Sequence, residues 1–72
     1  MKNDDLIRMA NQIAIFFAPY TEEEAVTGIA GHISMFWEPR MREQLASIAK
    51  DTKELNPLVL RALDDPALSA TT

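Results

Sequence analysis

The chain has no cysteine, which excludes a disulfide, a thiolate metal site and a cysteine nucleophile. Its only histidine is His32, so a single chain cannot assemble a metal site from several histidines. No apolar run exceeds residues 13–19, which is far short of a membrane span. No apolar segment of the signal-peptide type follows the charged first residues, and we therefore expect a cytoplasmic location.

The chain also has little positive charge and little length. Its 72 residues include 7 basic and 11 acidic side chains, for a net charge of -4. An acidic chain lacks the basic patch that binds nucleic acids or anionic membranes, so we expect neither partner. A single core at this length rarely supplies more than about 3–5 kcal/mol of stability without further support. With 47% hydrophobic residues the chain should fold, and we expect the support to come from another protein chain.

Apolar residues recur with a helical period between the 4 prolines, and no alternation typical of a strand is present. The sequence therefore predicts an all-α fold. We expect a small helical bundle, in which an antiparallel hairpin of two helices is followed by a third helix and a short fourth helix. Residues 1–66 are assigned to a single helical domain, and residues 67–72 to a flexible C-terminal tail.

Capping residues predict where the first two helices begin. Asn3 or Asp4 can cap a first helix over residues 4–18. Thr21 opens the second helix with a capping box, in which its side chain accepts from the Glu24 amide and the Glu24 carboxylate reaches back.

Prolines predict the other two helix starts. Pro39 opens a third helix that runs to about Lys50, and Asn56 followed by Pro57 opens a short fourth helix. The fourth helix is apolar nearly all round and marginal by itself in water, so we expect it to dock on the rest of the bundle.

The predicted core lies on the facing sides of the helices. Its members are Leu6, Met9, Ile13, Phe16, Phe17, Val26, Ile29, Ile33, Phe36, Trp37, Met41 and Leu45. Ile15, Met35 and Leu60 lie off this apolar stripe. Gly28 and Gly31 give the second helix a side of small residues. That side either lets another helix approach closely or merely loosens the helix.

We find no catalytic arrangement in the sequence. His32 is the only candidate imidazole, and neither Glu24 nor Glu38 shares a clear helical stripe with it, so a structural or interface role is favoured. The acidic residues 22–24 do not converge on a metal, because successive helical residues point about 100° apart. We therefore expect a chain that is not an enzyme and binds no cofactor.

The corner between the second and third helices carries residue types that are frequent in binding hot spots. Trp37 either completes the core or contacts a partner. Arg40 and Arg42 are either solvated or pair with carboxylates of a partner.

Specific polar residues occur in two stretches, IRMANQI at residues 7–13 and FWEPRMR at residues 36–42. With these stretches, the chain resembles the delta subunits of cytosolic, NAD-dependent formate dehydrogenases that contain molybdenum or tungsten. The resemblance covers nearly the whole chain apart from the tail. Further matching segments are residues 16–17, 24–26, 28–33, 55–59 and 62–63.

The resemblance implies a non-catalytic accessory subunit that supports assembly, stability or metal-cofactor maturation of the complex. In that family the alpha subunit holds the pterin metal centre and iron–sulfur clusters, and the beta and gamma subunits carry flavin and further clusters. The implied partners are the catalytic subunits, chiefly the alpha subunit, and no catalytic residue is carried over. The residues that we expect at the partner contact are Arg8, Asn11, Gln12, Gly28, Gly31, His32, Trp37, Arg40 and Arg42.

Two alternative functions remain open at this point. One is a stand-alone homo-oligomeric interaction module, because the apolar residues off the core and the glycines would let copies associate. The other is a small helical regulator, although 11 acidic residues disfavour contact with DNA.

Overall fold

Helices account for most of residues 2–69, the part of the chain that this computed structural model describes. In that part there are five helices and no strand, which confirms the predicted all-α bundle. The helices are α1 (Asn3–Phe17), α2 (Glu22–Phe36), α3 (Pro39–Ala49), α4 (Pro57–Leu63) and α5 (Pro66–Ser69).

The predicted cap of α1 is wrong. Lys2 is the N-cap residue of α1 and makes no capping hydrogen bond through its side chain, whereas Asn3 and Asp4 lie inside the helix. The Asn3 side chain has a tertiary role instead, since its Oδ1 accepts from Gln44 Nε2 of α3 at 2.9 Å. The capping preference of Asn3 is therefore not realised, and its side chain instead bonds to Gln44 of α3.

The predicted caps of α2 and α4 are confirmed. Thr21 Oγ1 accepts from the Glu24 amide at 3.2 Å, and the Glu24 carboxylate accepts from the Thr21 amide at 3.3 Å. At α4, Asn56 Oδ1 accepts from the Leu58 amide at 2.9 Å, and Pro57 occupies the first helical position.

The first two helices form the predicted antiparallel hairpin. Phe17, at the end of α1, lies against Gly28 in the first half of α2. Met9, earlier in α1, lines the same surface depression as Trp37, which directly follows α2. Helix α2 also packs against α4 and α5, while α1 packs against α3 and α4. An ion pair between Glu22 and Arg61 links the start of α2 to α4.

The core combines large apolar residues with alanines at the helix contacts. The largest fully buried side chains are Leu6, Ile29, Ile33, Leu45 and Val59. Fully or almost fully buried alanines lie at positions 10, 14, 25, 30 and 62, where a larger side chain would hold the helices apart. Trp37 is 6% exposed, which confirms its interpretation as a core residue. Val59 and Ala62 dock α4, as its apolar character requires.

Two members of the predicted core are wrong. Phe16 and Phe36 are each 68% exposed. The buried side of α1 follows Leu6, Ala10 and Ala14, and at 100° per residue Phe16 is rotated well away from that line. Five other predicted members are partly buried against the core: Met9, Ile13, Phe17, Val26 and Met41.

Helix α5 begins at Pro66, the last residue of the predicted domain, and its other residues fall within the segment predicted to be a tail. It packs against α2 and α4, and Leu68 is half-buried against the core. Residues 70–72, the end of the predicted tail, lie outside the described residues. Within residues 2–69, no helix combines the length and the apolar character that crossing a membrane requires.

Candidate interaction surface

Large apolar side chains are exposed where the last turn of α1 approaches the second half of α2. Phe16 and Phe36 are each 68% exposed, and Met35 is 78% exposed. His32 is also exposed, and its ring lies 4.8 Å from the ring of Phe36, centroid to centroid. We call Phe16, His32, Met35 and Phe36 the aromatic patch.

A shallow depression joins the two halves of the aromatic patch. It has a volume of about 330 Å³. Phe16 from α1 and His32 from α2 both line it. The other lining residues are Met9, Gln12, Ile13 and Trp37. Because Trp37 is buried, the depression reaches down to the core, and its walls are mainly apolar.

The aromatic patch lies in the uncharged part of the chain. None of the 7 basic and 11 acidic side chains falls within residues 9–21 or 25–37, which include all four patch residues. A centre depleted of charge and enriched in aromatic residues and methionine is typical of a protein–protein interface. The sequence predicts Phe16 and Phe36 as core residues, and no local signal indicates their exposure, because the same charge-free stretches contain buried residues such as Ala14 and Ile33.

The arginines of the predicted partner contact differ in their surroundings. Arg8 pairs with Asp5 at 3.4 Å on the exposed side of α1. Arg40 is exposed and Arg42 half-buried, and neither has an ion-pair partner among the described residues. These two lie two positions apart on α3 and therefore project about 200° apart. They do not converge on one carboxylate.

The Asn11 side chain, which is predicted at the partner contact, also makes two hydrogen bonds within the chain. Its Nδ2 donates to the carbonyl oxygen of Glu54 at 2.9 Å, and its Oδ1 accepts from the amide of Asn56 at 2.8 Å. Both ends of the side-chain amide thus hold the connection before α4 against α1. No local signal reveals this role, because the partners lie more than 40 residues away. Gln12 of the same motif is exposed and borders the depression.

The two glycines of α2 have different environments. A Cβ atom at Gly28 would clash with the ring of Phe17, so close packing is confirmed there, although the neighbour belongs to the same chain. A Cβ atom at Gly31 would meet nothing within 4 Å. Gly31 therefore remains open to a partner, while Gly28 is already covered. Across residues 2–69, no group of three or more His, Asp or Glu side chains could hold a metal ion.

The fold and the aromatic patch define a class: a small all-α protein with an exposed, uncharged apolar surface. Such surfaces mark sites of protein–protein contact. Residues 5–63 match the family described as NADH-dependant formate dehydrogenase delta subunit FdsD, and the chain belongs to this family. The resemblance seen in the sequence is thereby confirmed over residues 5–63, which include most of α1 and all of α2, α3 and α4. Searches of curated proteins and of solved structures each found no match.

Proposed function

We propose that this chain is a non-catalytic accessory subunit of an NADH-dependent formate dehydrogenase. In this role it supports the assembly, stability or metal-cofactor maturation of the complex through contacts with the catalytic subunits, chiefly the alpha subunit. The proposal includes a cytoplasmic location for the chain.

The observation that carries the proposal is the exposure of Phe16, Met35 and Phe36 on a chain of the delta-subunit family. Covering a large apolar side chain contributes about 1.5–3 kcal/mol. A small bundle with limited stability of its own gains from a partner that binds only its folded form, by about 2.7 kcal/mol at one hundred times the dissociation constant. By the same mass action, binding of this chain also stabilises the folded form of the partner subunit.

The direct test compares the formate dehydrogenase complex produced with and without this chain. The measurements are subunit composition, molybdenum or tungsten content, thermal midpoint and formate-dependent NADH formation. We expect the complex made without the chain to have a lower metal content or a lower thermal midpoint. Identical composition, metal content and thermal midpoint would contradict an accessory role.

Adding the purified chain to the complex that was made without it distinguishes a stabilising role from a role in maturation. If the chain stabilises the finished complex, its addition restores the thermal midpoint and activity. If the chain acts in maturation, the metal content stays low after addition, because the centre was not loaded during synthesis. Wild-type complex treated with the same excess of chain serves as the control.

Self-association is a second candidate function, which the exposed aromatic patch also favours. Two copies that cover this patch would form a homo-oligomer in isolation. Light scattering over a range of concentrations distinguishes a monomer from a homo-oligomer. A constant mass of 8.1 kDa excludes self-association, and a doubling of mass supports it.

A further inference from the structure

We infer that the aromatic patch, with its depression and Arg40 at its margin, is the surface that docks on another subunit of the complex. The inference rests on the proposed function. It adds which face of the chain makes the contact and what chemistry the partner presents there. The partner site is an uncharged apolar surface with one protruding side chain and a carboxylate at its edge.

The size of the aromatic patch suits the centre of such a contact. Aromatic side chains bury about 150–250 Å² each, so Phe16, Met35 and Phe36 together expose on the order of 400 Å². A standard interface buries about 800 Å² on each partner. The patch therefore supplies about half of that area as an apolar centre, and polar neighbours such as Gln12 supply a rim.

The shape of the surface indicates how the partner fits. The depression between Phe16 and His32 accepts one apolar side chain, whose contacts would be Ile13 and Met9. Gly31, which directly precedes His32 in α2, has open space at its Cβ position, so a partner backbone can come close there. A helix with one projecting apolar residue meets both conditions.

The distribution of charge around the aromatic patch indicates which partner groups can lie beside the apolar contact. A partner charge placed against residues 9–21 or 25–37 would find no opposite charge within those stretches, and burying an unpaired charge is costly. Arg40 lies four residues after Phe36, at most about 14 Å along the chain. It has no ion-pair partner among the described residues, so a carboxylate at the partner's edge would satisfy it.

Family membership, and not the charge pattern, favours a different subunit over a second copy as the occupant. A symmetric contact centred on the aromatic patch would bring the same two uncharged stretches against each other. Glu38 lies at the edge of these stretches in each copy and could pair with Arg40 of the other copy, so charge alone permits both occupants. The chain belongs to a family of delta subunits, which act beside other subunits of a complex, and we therefore assign the surface to a different subunit.

The test measures copurification of affinity-tagged full-length chain with the other formate dehydrogenase subunits. We expect the double variant Phe16→Ser, Phe36→Ser to reduce the copurified amount at least tenfold. The matched control is Ile15→Ser, because Ile15 is 66% exposed on the same helix but does not line the depression. This control should copurify as the wild type does.

Two further variants keep the test independent of folding. Met35→Glu changes the most exposed large apolar residue and should also reduce copurification at least tenfold, with an unchanged circular dichroism spectrum. Arg40→Glu should weaken copurification more than Lys53→Glu, which makes the same charge change in the connection before α4. The difference between these two variants should shrink at high salt.

The possible outcomes separate this inference from the proposed function. If the wild type fails to copurify, the proposed function fails. If the wild type and the patch variants copurify equally, the function stands and the inference is overturned. A dimer of the isolated chain that the double variant dissociates, with copurification unaffected, would also overturn it, because the patch would then belong to a second copy.

Discussion

Gly28 lies directly beneath the ring of Phe17, so close that a Cβ atom at this position would overlap the ring. The hairpin of α1 and α2 thus depends on the absence of a side chain at one position. Gly31, one turn further along α2, has open space around the place where a Cβ atom would lie.

Alanine substitutions at the two glycines should therefore have opposite effects on stability. Gly31→Ala should stabilise the chain by about 0.8–1 kcal/mol through helix propensity. Gly28→Ala gains the same propensity but overpacks against Phe17, which typically costs about 1–3 kcal/mol. Thermal unfolding resolves the difference, since 1 kcal/mol shifts the midpoint by about 4–8 °C in a domain of this size.

Removing the Phe17 ring is the control for this pair. In a Phe17→Ala background, Gly28→Ala should no longer carry its overpacking cost and should behave as Gly31→Ala does. A cost at Gly28 that persists without the ring would show that the clash is not its cause.

Asn11→Ala should destabilise the chain by about 1–3 kcal/mol. The substitution leaves the Asn56 amide and the Glu54 carbonyl without the side chain that now bonds both. Urea unfolding gives the loss of stability, and faster hydrogen exchange at the Asn56 amide locates it. Gln12→Ala, at the exposed neighbouring position, should change stability by less than about 0.5 kcal/mol. Equal stability of the two variants would refute the internal role of Asn11.

The capping box predicts a loss of stability on Thr21→Ala. Thr21 Oγ1 accepts from the Glu24 amide, and loss of such a cap costs about 1 kcal/mol. The matched control is Thr27→Ala, because Thr27 is an exposed interior residue of α2 where alanine improves helix propensity. Thermal unfolding should show a lower midpoint for Thr21→Ala and an unchanged or higher midpoint for Thr27→Ala. The reverse order would contradict the prediction.

Features that depend on neighbouring residues could be predicted from the sequence. The caps at Thr21 and Asn56 involve residues two or three positions apart, and Pro39 and Pro57 restrict the backbone where they occur. Helical periodicity likewise indicates an all-α fold, because it needs only local spacing. The family resemblance depends on motifs that are written in the chain itself.

Features that depend on distant packing could not be predicted in this way. Phe16 and Phe36 fit a helical stripe, but the helices meet at alanines, and the two rings are left on the surface. Asn3 caps nothing, because Gln44 of α3 uses its side chain. The exposure of Phe16 and Phe36 depends on the same packing between distant residues. Two residues that the sequence predicts as core therefore belong to the candidate surface.

Partner binding should protect a core variant that is destabilised in isolation. Val59 is fully buried and docks α4, and a Val59→Ala cavity costs on the order of 2 kcal/mol, a large share of the about 3–5 kcal/mol available to a chain of this size. About 1–3 kcal/mol of stability then remains, so we expect Val59→Ala to have a clearly lower thermal midpoint in isolation by circular dichroism, yet to copurify with the other formate dehydrogenase subunits when it is produced together with them. Binding of the folded form draws the equilibrium toward folding, as mass action requires. The control is Leu60→Ala, a neighbouring change on the exposed side of α4, which should fold and copurify normally. If Val59→Ala folds only weakly in isolation and is also lost from the complex, the partner does not supply the stability that this short chain lacks.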